Sequence, residues 1–488
     1  MAGFGTRLKR LSGEDNLLGP VATIGHAAVI ATGPWLFAVI ALALISTITA
    51  PRVPAETVEG FRLLIIYAFS LSLVAASPIM IVATRLVGDA IYLQRFGRIK
   101  PLFLATLLLS GGAAASLAFI VQVFIFKLPA ELAVAGVSSC GLVGLIWVGL
   151  AFCGAVRDYR GITLGFPVGL GVSVFGSAWA ALSDLGAVGM VWGFEAGLLV
   201  VFCGLASRIL TTFPEPVPDI SRPLRVLWLG MQRFWQLALG GLFAATAIWI
   251  DKWVVWSGPA GEAHATGLLH APLYDSAMFT ACLVMIPALS LFVTHVETTF
   301  FLNYCRYYNA IRNHATLRQI ESDANTLSQA TVATLTNIVL VQAALCSIAV
   351  LVAPSIIETA GMHFQQVGIL RLGVLGALFQ FVFLAASSLL LFFNRHAHFL
   401  LLQTLFLLLQ GGLTAITVRL GTTYYGFGNL IAGVACGLLA LAVLDFTMRR
   451  LTFLTFILGS SGQSGDLDEA LSNWDRDESN SGMKDRTK

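Results

Sequence analysis

Long apolar runs recur along the whole chain, and they constrain its fold more than any other feature of the sequence. A helix needs about 20 apolar residues to cross a hydrocarbon layer about 30 Å thick, and run after run reaches that length. Hydrophobic residues make up 57% of the chain and charged residues only 11%, whereas a soluble domain carries roughly 25% charged residues. Because no water-soluble core can bury so much apolar surface, the sequence predicts an integral membrane protein.

The continuity of the runs favours helices over a transmembrane barrel. Backbone groups in lipid must be hydrogen-bonded internally, so only helices and closed barrels span a bilayer. Barrel strands would alternate in polarity over segments of about ten residues, whereas these runs are apolar throughout. We therefore predict an all-α membrane protein of about twelve transmembrane helices. The predicted spans are residues 20–49, 61–86, 101–126, 132–155, 161–182, 186–210, 234–256, 274–297, 331–357, 367–393, 398–418 and 428–448.

A proline-rich stretch divides these helices into two groups of six. Residues 211–233 hold a cluster of prolines that is typical of a loop, here a cytoplasmic one. The division predicts an N-terminal six-helix bundle over residues 1–210 and a C-terminal six-helix bundle over residues 234–458. Residues 459–488 are rich in Ser, Gly, Asp and Glu, and so polar a composition predicts a disordered tail.

Lysine and arginine are distributed unevenly between the two sets of loops. Of the 29 basic residues, 23 lie before the first span, in every second loop or after the last span. Since cytoplasmic loops hold the excess of basic residues, both termini are predicted to face the cytoplasm. The first apolar run is too long for a signal peptide, so the first helix is expected to be retained.

Several classes of function lack the residues that they need. The basic residues form short clusters rather than one face that could follow a nucleic-acid backbone. The eight histidines have no metal-ligand spacing, and the seven cysteines include no CxxC pair. No phosphate-binding loop and no hydrolase nucleophile motif is present. We therefore expect no enzyme activity, no cofactor, no metal site and no nucleic-acid partner.

Charged residues at membrane depth are candidates for a transport path, because a charge in hydrocarbon is costly and is kept for a function. Glu195 lies mid-helix between Gly193 and Gly197, and such small residues let a neighbouring backbone approach and place the carboxylate inside the bundle. Its role is either proton, cation or substrate contact, or a structural hydrogen bond between helices.

Three further charges lie in the C-terminal half. Asp251 and Lys252 are adjacent near the end of the seventh span; because adjacent helical residues point to different sides, we expect two separate contacts rather than one salt bridge. Arg371 lies within the tenth span. It could neutralise Glu195, bind an anionic group or snorkel toward the nearer membrane face.

Prolines interrupt four of the predicted spans. Proline removes a helical hydrogen bond, and transporters use such breaks where helices bend or line a cavity. We predict hinges at Gly33, Pro34 and Trp35 in the first span, and at Pro78, Pro167 and Pro287 in the second, fifth and eighth spans.

Aromatic residues recur at near-helical spacing after the eighth span. They are interspersed with arginines, so the eighth helix is predicted to continue beyond the membrane as an amphipathic segment. This segment either anchors the bundle at the interface or docks a cytoplasmic partner through Phe300, Phe301, Tyr304 and Tyr307.

Two blocks of the sequence resemble the PelG family of exopolysaccharide exporters. The first is Met1-Ala-Gly-Phe-Gly-Thr-Arg-Leu-Lys-Arg-Leu11, followed by Ala31-Thr-Gly-Pro-Trp-Leu36. The second comprises Asp251-Lys-Trp-Val-Val-Trp256, Asp275, Ile286-Pro-Ala-Leu-Ser-Leu-Phe292 and Glu297-Thr-Thr-Phe-Phe-Leu-Asn-Tyr304, continued by Tyr307 and Ile311. The tail after residue 459 has no counterpart in the resemblance.

The resemblance implies a fold, a substrate and partners. The fold would be that of the multidrug/oligosaccharidyl-lipid/polysaccharide (MOP) superfamily, with two six-helix bundles around a central cavity in the bacterial cytoplasmic (inner) membrane. The substrate would be Pel, a cationic amino-sugar polymer of biofilm matrix, and the partners would resemble PelD and PelE beside a cytoplasmic glycosyltransferase. In that setting the carboxylates of Glu195, Asp251, Asp275 and Glu297 would contact the cationic glycan.

Two other functions fit the same residues. An ion-coupled antiporter of drugs or small solutes would use Glu195 or Asp251 as a titrating site. A membrane scaffold without transport activity would hold a polysaccharide synthase through the segment after the eighth span.

Overall fold

A computed structural model describes residues 36–156, 160–217 and 219–458, together with Leu467, Leu471 and Trp474. Side chains are described for these residues except 160–164 and 457–458. The described chain is almost entirely helical. Its only strands, β1 (Glu262–Ala263) and β2 (Leu269–His270), form a short antiparallel hairpin within these ranges, with Glu262 opposite His270.

Sixteen helices make up the described ranges. They are α1 (Leu36–Thr49), α2 (Ala55–Tyr92), α3 (Ile99–Phe119), α4 (Ala130–Val156), α5 (Arg160–Leu182), α6 (Gly186–Thr212), α7 (Ser221–Arg233), α8 (Trp235–Trp256), α9 (Pro272–Leu283), α10 (Ile286–His295), α11 (Phe301–Arg312), α12 (Leu317–Thr359), α13 (Gln366–Phe392), α14 (His396–Leu420), α15 (Phe427–Arg449) and α16 (Leu451–Leu458). Two 3-10 turns precede helices: Phe96–Arg98 before α3 and Thr422–Tyr424 before α15. Two π-helical turns also occur. Ile120–Ile125 follows α3, and Val296–Phe300 joins α10 to α11.

The predicted membrane spans correspond to described helices. Eleven helical segments of the described chain are long and apolar enough to cross a bilayer, and they match the second to twelfth predicted spans apart from a few residues at some ends. Of the first predicted span, 20–49, residues 36–49 form α1 and the remainder lie outside the described residues. The prediction of an all-α membrane protein is confirmed.

The described chain divides into two compact units. The first bundle comprises Ala41–Leu242 and the tail residues Leu467, Leu471 and Trp474, whereas the second bundle comprises Phe243–Phe456 and residues 36–40. The predicted boundary at residues 211–233 therefore lies too early in the chain. The first turns of α8 belong to the first bundle because Gly241 packs closely against Ser77 and Ile81 of α2.

The stretch predicted as an inter-bundle loop is mostly helical, which corrects the prediction. Helix α7 buries Pro223, Val226, Leu227 and Gly230 on one side and is strongly amphipathic. Gly230 packs against Val82 and Leu86 of α2. Proline is typical of loops, but Pro223 lies near the start of α7, where its missing N–H would have no helical partner in any case.

The long predicted loop after the eighth span is also helical. The described chain is continuous from α10 through the π-helical turn into α11, so the predicted extension of the eighth helix is confirmed. Helix α12 begins five residues after α11 ends and contains 43 residues, which corresponds to about 65 Å. It is therefore about twice as long as the apolar layer is thick.

The predicted proline hinges differ from one another. Pro78 and Pro167 lie within the continuous helices α2 and α5. Only Pro287 accompanies a break, because α9 ends at Leu283 and α10 begins at Ile286. Gln342 of α12 donates a hydrogen bond to the carbonyl of Val284 in this break, at 3.1 Å. The hinge predicted at Gly33, Pro34 and Trp35 lies outside the described residues.

Candidate functional site

Each bundle buries a polar centre among apolar helices. In the first bundle, the glutamate centre consists of Glu195 on α6 and Ser138 and Ser139 on α4. In the second bundle, the aspartate–lysine centre consists of residues from α8 and α9, namely Asp251, Lys252, Trp256, Tyr274 and Asp275.

Glu195 is held by two hydroxyl groups at one of its oxygens. Ser138 and Ser139 both donate hydrogen bonds to Oε1, the first at 2.9 Å. Among the described residues, no hydrogen-bond donor contacts Oε2 and no cation pairs with the carboxylate. Since only 8% of Glu195 is exposed, this carboxylate is a buried polar group without a counter-ion in the described part of the chain.

The glycines beside Glu195 explain how α6 places the carboxylate. Gly193 packs on the backbone of Gly176, and Gly197 packs on Ser173 and Gly169, so that an added Cβ at either glycine would collide with α5. Ser173 also donates a hydrogen bond to the carbonyl of Phe194, at 2.8 Å. Because residues two positions away point to nearly the opposite side of a helix, this close contact turns Glu195 toward α4.

Asp251 is the most enclosed acid of the second centre. It is 1% exposed; Lys252 donates to its two oxygens at 3.0 and 3.1 Å, and the hydroxyl of Tyr274 donates to Oδ2 at 3.0 Å. The expectation that Asp251 and Lys252 make separate contacts was wrong. The flexible four-carbon stem of lysine lets the ammonium fold back onto the adjacent carboxylate, where burial strengthens the attraction.

Asp275 is bound by neutral donors. The indole N–H of Trp256 contacts both carboxylate oxygens, at 2.9 and 2.8 Å, and the backbone N–H of Ala271 donates to Oδ2 at 2.9 Å. Lys252 also acts electrostatically on this carboxylate. The aspartate–lysine centre thus combines two carboxylates with one ammonium, and each carboxylate has hydrogen-bond donors.

Glu297 and Arg371 lie apart from the aspartate–lysine centre. Glu297 is half-buried in the π-helical turn before α11, and it follows Asp275 by a helical path of roughly 30 Å. Arg371 is exposed near the start of α13, and its Nε donates to the carbonyl of Val350 on α12 at 3.1 Å. The acidic residues of the matched sequence block therefore do not form one site in the second bundle.

The aromatic residues after the eighth span belong largely to the core of the second bundle. Phe300 and Tyr307 are fully buried, and Phe300 packs edge-on against Phe392 with ring centroids 5.0 Å apart. Tyr304 is partly buried and donates to the carbonyl of Phe392 at 3.2 Å; Phe301 is also partly buried. Phe300 and Tyr307 therefore anchor α11 to its own bundle, whereas docking of a cytoplasmic partner through this segment stays a prediction.

Sequence reasoning missed the partners of the buried acids. Ser138, Ser139, Trp256 and Tyr274 carry no signal by themselves, because serines and aromatic residues are common in membrane helices. Trp256 ends a motif of the matched block and Tyr274 adjoins Asp275, and these two positions were the available hints. Within the described residues, no group of three or more His, Cys, Asp or Glu side chains is placed to hold a metal ion.

The fold is similar to those of solved transporters. A multidrug resistance MATE family transporter of the MOP superfamily, in an outward-facing conformation, aligns with a TM-score of 0.62 at 15% identity, covering 92% of this chain and 99% of that chain. A MOP superfamily transporter from Pyrococcus furiosus Vc1 aligns with a TM-score of 0.60 at 14% identity, covering 88% and 96%. A MATE protein in a bent conformation aligns with a TM-score of 0.60 at 15% identity, covering 92% and 98%. The chain therefore has a MOP-type transporter fold.

The sequence identifies the family within this class. The profile of the family described as "PelG: Putative exopolysaccharide Exporter (EPS-E)" matches residues 1–456. Because the match covers nearly the whole chain, the protein belongs to the PelG family, and the resemblance of its two sequence blocks is confirmed. A search of curated proteins gave no match. The chain is thus a multi-pass membrane protein whose family and fold are those of transporters.

Proposed function

We propose that this protein exports an exopolysaccharide across the bacterial cytoplasmic membrane, and that the polymer is a Pel-like cationic amino-sugar glycan of biofilm matrix. The family match and the transporter fold support export of a polysaccharide. We choose a cationic substrate because Glu195 is a buried carboxylate without a counter-ion among the described residues. A buried anion gains most from a partner of opposite charge, such as the ammonium group of an amino sugar.

The aspartate–lysine centre also supports a positively charged substrate. Two carboxylates lie there beside a single ammonium, so both polar centres contain more acidic than basic groups among the described residues. In the proposed orientation, with both termini in the cytoplasm, α6 runs inward and α8 runs outward. Glu195 then lies in the outer half of α6.

The contact between Arg98 and the tail supports one part of that orientation. Arg98 donates a hydrogen bond to the carbonyl of Leu471 at 2.9 Å, so the α2–α3 turn and the tail lie on the same side of the membrane. The basic residues around this turn favour the cytoplasmic side. A green fluorescent protein fused after Lys488 should fluoresce and a fused alkaline phosphatase should be inactive; the reverse result would overturn the orientation.

The decisive experiment replaces Glu195 by glutamine in a strain that lacks the chromosomal gene. Glutamine retains the shape and an acceptor for the serine hydroxyls, but it removes the charge. We expect secreted polymer to fall about tenfold or more, which corresponds to the loss of one charge-assisted interaction. The measurement is the amount of amino-sugar polymer outside the cells, with the membrane level of the variant determined in parallel.

Glu131→Gln is the matched control, because Glu131 is exposed in the first turn of α4 and belongs to the same bundle. It should leave secretion unchanged. If Glu195→Gln secretes as much polymer as the wild type, the assignment of Glu195 to the path of a cationic glycan is wrong.

An ion-coupled antiporter is the second candidate, and the same buried carboxylate supports it, since Glu195 could bind a coupling cation. Deletion of the gene separates the two functions. Loss of secreted polymer with unchanged drug sensitivity supports the exporter, whereas normal polymer with raised drug sensitivity supports the antiporter. A scaffold without transport activity would keep secreting when Glu195 is replaced.

We further propose membrane partners resembling PelD and PelE and a cytoplasmic glycosyltransferase, on the basis of family membership. The helical hairpin of α11 and the start of α12 is a rigid platform for such contacts. Arg306 of α11 pairs with Asp323 of α12 at 3.0 Å, and Asp323 is only 4% exposed. Co-purification of the glycosyltransferase with the wild type, and its loss with Arg306→Ala, would support this placement; unchanged co-purification would contradict it.

A further inference from the structure

The C-terminal tail places three residues against the first bundle, which contradicts the prediction of disorder at these positions. Leu467, Leu471 and Trp474 are helical, and their spacing of four and three residues puts them on one face of a helix. Leu467 is 5% exposed and Trp474 is 7% exposed. A short helical segment of this kind is stabilised only by packing on a folded surface. The burial of Leu467 and Trp474 therefore indicates that the tail docks on the first bundle.

Arg98 is the residue of the bundle that receives this face. It lies in the 3-10 turn between α2 and α3 and is only 4% exposed, although arginine is rarely buried. Its Nη2 donates to the carbonyl oxygen of Leu471 at 2.9 Å. Its guanidinium carbon also lies 5.9 Å from the centre of the Trp474 ring, within the range of a cation–π interaction.

The two contacts require a guanidinium group rather than a positive charge alone. A planar guanidinium can donate a directed hydrogen bond and face an aromatic ring at the same time, whereas an ammonium is a compact point charge. Two interactions on different tail residues also restrict how the tail can dock, since Leu471 and Trp474 must both reach Arg98. The contact is therefore specific in geometry.

Charge complementarity adds to this specificity. Residues 466–478 contain six acidic residues and one basic residue, and the α2–α3 connection carries Arg95, Arg98 and Lys100. The family profile ends at residue 456, so the tail lies beyond the matched region whereas Arg98 lies inside it. A residue within the family region is thus covered by a segment that follows it.

We propose that the α2–α3 turn around Arg98 is a docking site for an acidic amphipathic helix, and that the tail face of Leu467, Leu471 and Trp474 occupies this site in cis. Because the tail is covalently attached, its effective concentration at the site is high. A free helix with the same pattern of acidic and apolar residues therefore binds only when the tail is displaced. This docking is independent of the exported substrate.

Hydrogen exchange in the full-length protein in detergent micelles tests the docking in cis. The backbone amides of residues 467–474 should exchange slowly in the wild type, and at least about tenfold faster in Arg98→Ala and in Trp474→Ala, because each variant removes one of the paired contacts. Trp474 lies in the tail after the last membrane-spanning helix, so Trp474→Ala tests the contact even if loss of buried Arg98 disturbs folding. Exchange of the wild-type tail at the rate of a free peptide would overturn the proposal.

Lys100→Ala is the matched control, since Lys100 lies two residues after Arg98 in the same connection and carries the same charge. It should leave tail exchange close to the wild-type rate. If Lys100→Ala and Arg98→Ala accelerate exchange equally, the tail is held by diffuse charge attraction and no defined site exists.

A labelled peptide of residues 459–488 tests occupancy of the site. Its binding, followed by fluorescence anisotropy, should be at least about tenfold tighter to full-length Trp474→Ala protein, whose site is vacated, than to the wild type. Adding Arg98→Ala to Trp474→Ala should abolish this gain. Equal binding to all three proteins would show that the site is not the one that the tail occupies.

Discussion

The two buried polar centres differ in how completely their charges are compensated. In the second bundle, Asp251 has Lys252 and Tyr274, and Asp275 has Trp256 and the backbone of Ala271. In the first bundle, two serine hydroxyls are the partners of Glu195 among the described residues, and both contact one oxygen. Within the described part of the chain, the second centre is a closed network, whereas the first leaves a carboxylate oxygen available to a cation.

This difference assigns different tasks to the two centres. A buried network in which each charge has partners holds its helices in one arrangement, and removing one member leaves another charge unpaired. A carboxylate without a counter-ion contributes less to the fold and more to binding. We therefore expect the aspartate–lysine centre to support the structure of the second bundle and Glu195 to act in transport.

The largest effect on stability is expected for Asp251→Ala. The variant leaves the ammonium of Lys252 buried without its carboxylate, which should lower the free energy of unfolding by about 3–5 kcal/mol. Unfolding of the purified protein in detergent measures the change. The double variant Asp251→Leu/Lys252→Met removes both charges and should recover most of the loss; no recovery would show that the pair is not the source of the stability.

A smaller effect on stability is expected for Trp256→Phe. This variant tests the neutral hydrogen-bond donor of the same centre. Phenylalanine fills most of the space but removes the N–H that contacts both oxygens of Asp275. Loss of a hydrogen bond to a buried carboxylate should cost about 1–3 kcal/mol. Trp228→Phe is the control, because Trp228 is 59% exposed; equal losses in the two variants would exclude a specific role for the Trp256–Asp275 contact.

Glu195→Gln should change the free energy of unfolding by less than about 1 kcal/mol, which is much less than the change expected for Asp251→Ala. The amide oxygen still accepts from Ser138 and Ser139, and the cost of burying a charge is removed. The same variant should nevertheless lose export. A loss of stability as large as that of Asp251→Ala would make Glu195 a structural residue and erase the contrast between the two centres.

The smallest effect is expected for Arg371→Ala, a charged residue of the second bundle outside the centre. Arg371 is exposed and donates one hydrogen bond to the carbonyl of Val350. Substitutions of this kind stay within about 0.5 kcal/mol, and secretion should be unchanged. Reduced secretion at normal stability would place Arg371 on the transport path.

Single residues show why sequence reasoning reached the helices but not the centres. Pro287 accompanies a helix break, whereas Pro78 and Pro167 lie within continuous helices, because proline weakens its own helix locally and the packing around it decides whether the helix breaks. The small size of Gly193 and Gly197 is likewise a local property, and it correctly predicts a close helix contact. The pairing of Glu195 with Ser139 joins residues that are 56 positions apart, and no local pattern encodes which helix faces the carboxylate.

The structure differs from the sequence-based predictions in segments whose polar pattern predicted exposed residues. Aromatic spacing predicted an amphipathic helix at residues 300–307, and the helix exists, but Phe300 and Tyr307 turn inward onto the core of the second bundle. The composition of the tail predicted disorder, yet Leu467, Leu471 and Trp474 are helical, and Leu467 and Trp474 are buried. Composition averages over a segment, whereas docking depends on the few residues that face a surface.

The sequence by itself determined the membrane class, the order of the spans and the family, because apolar length and short motifs are local properties of the chain. Tertiary structure alone decided that Lys252 folds onto Asp251, that Tyr274 and Trp256 complete the second centre, and that Arg98 receives the tail. These contacts depend on how helices rotate and how closely they pack, which is set by the sum of many distant contacts.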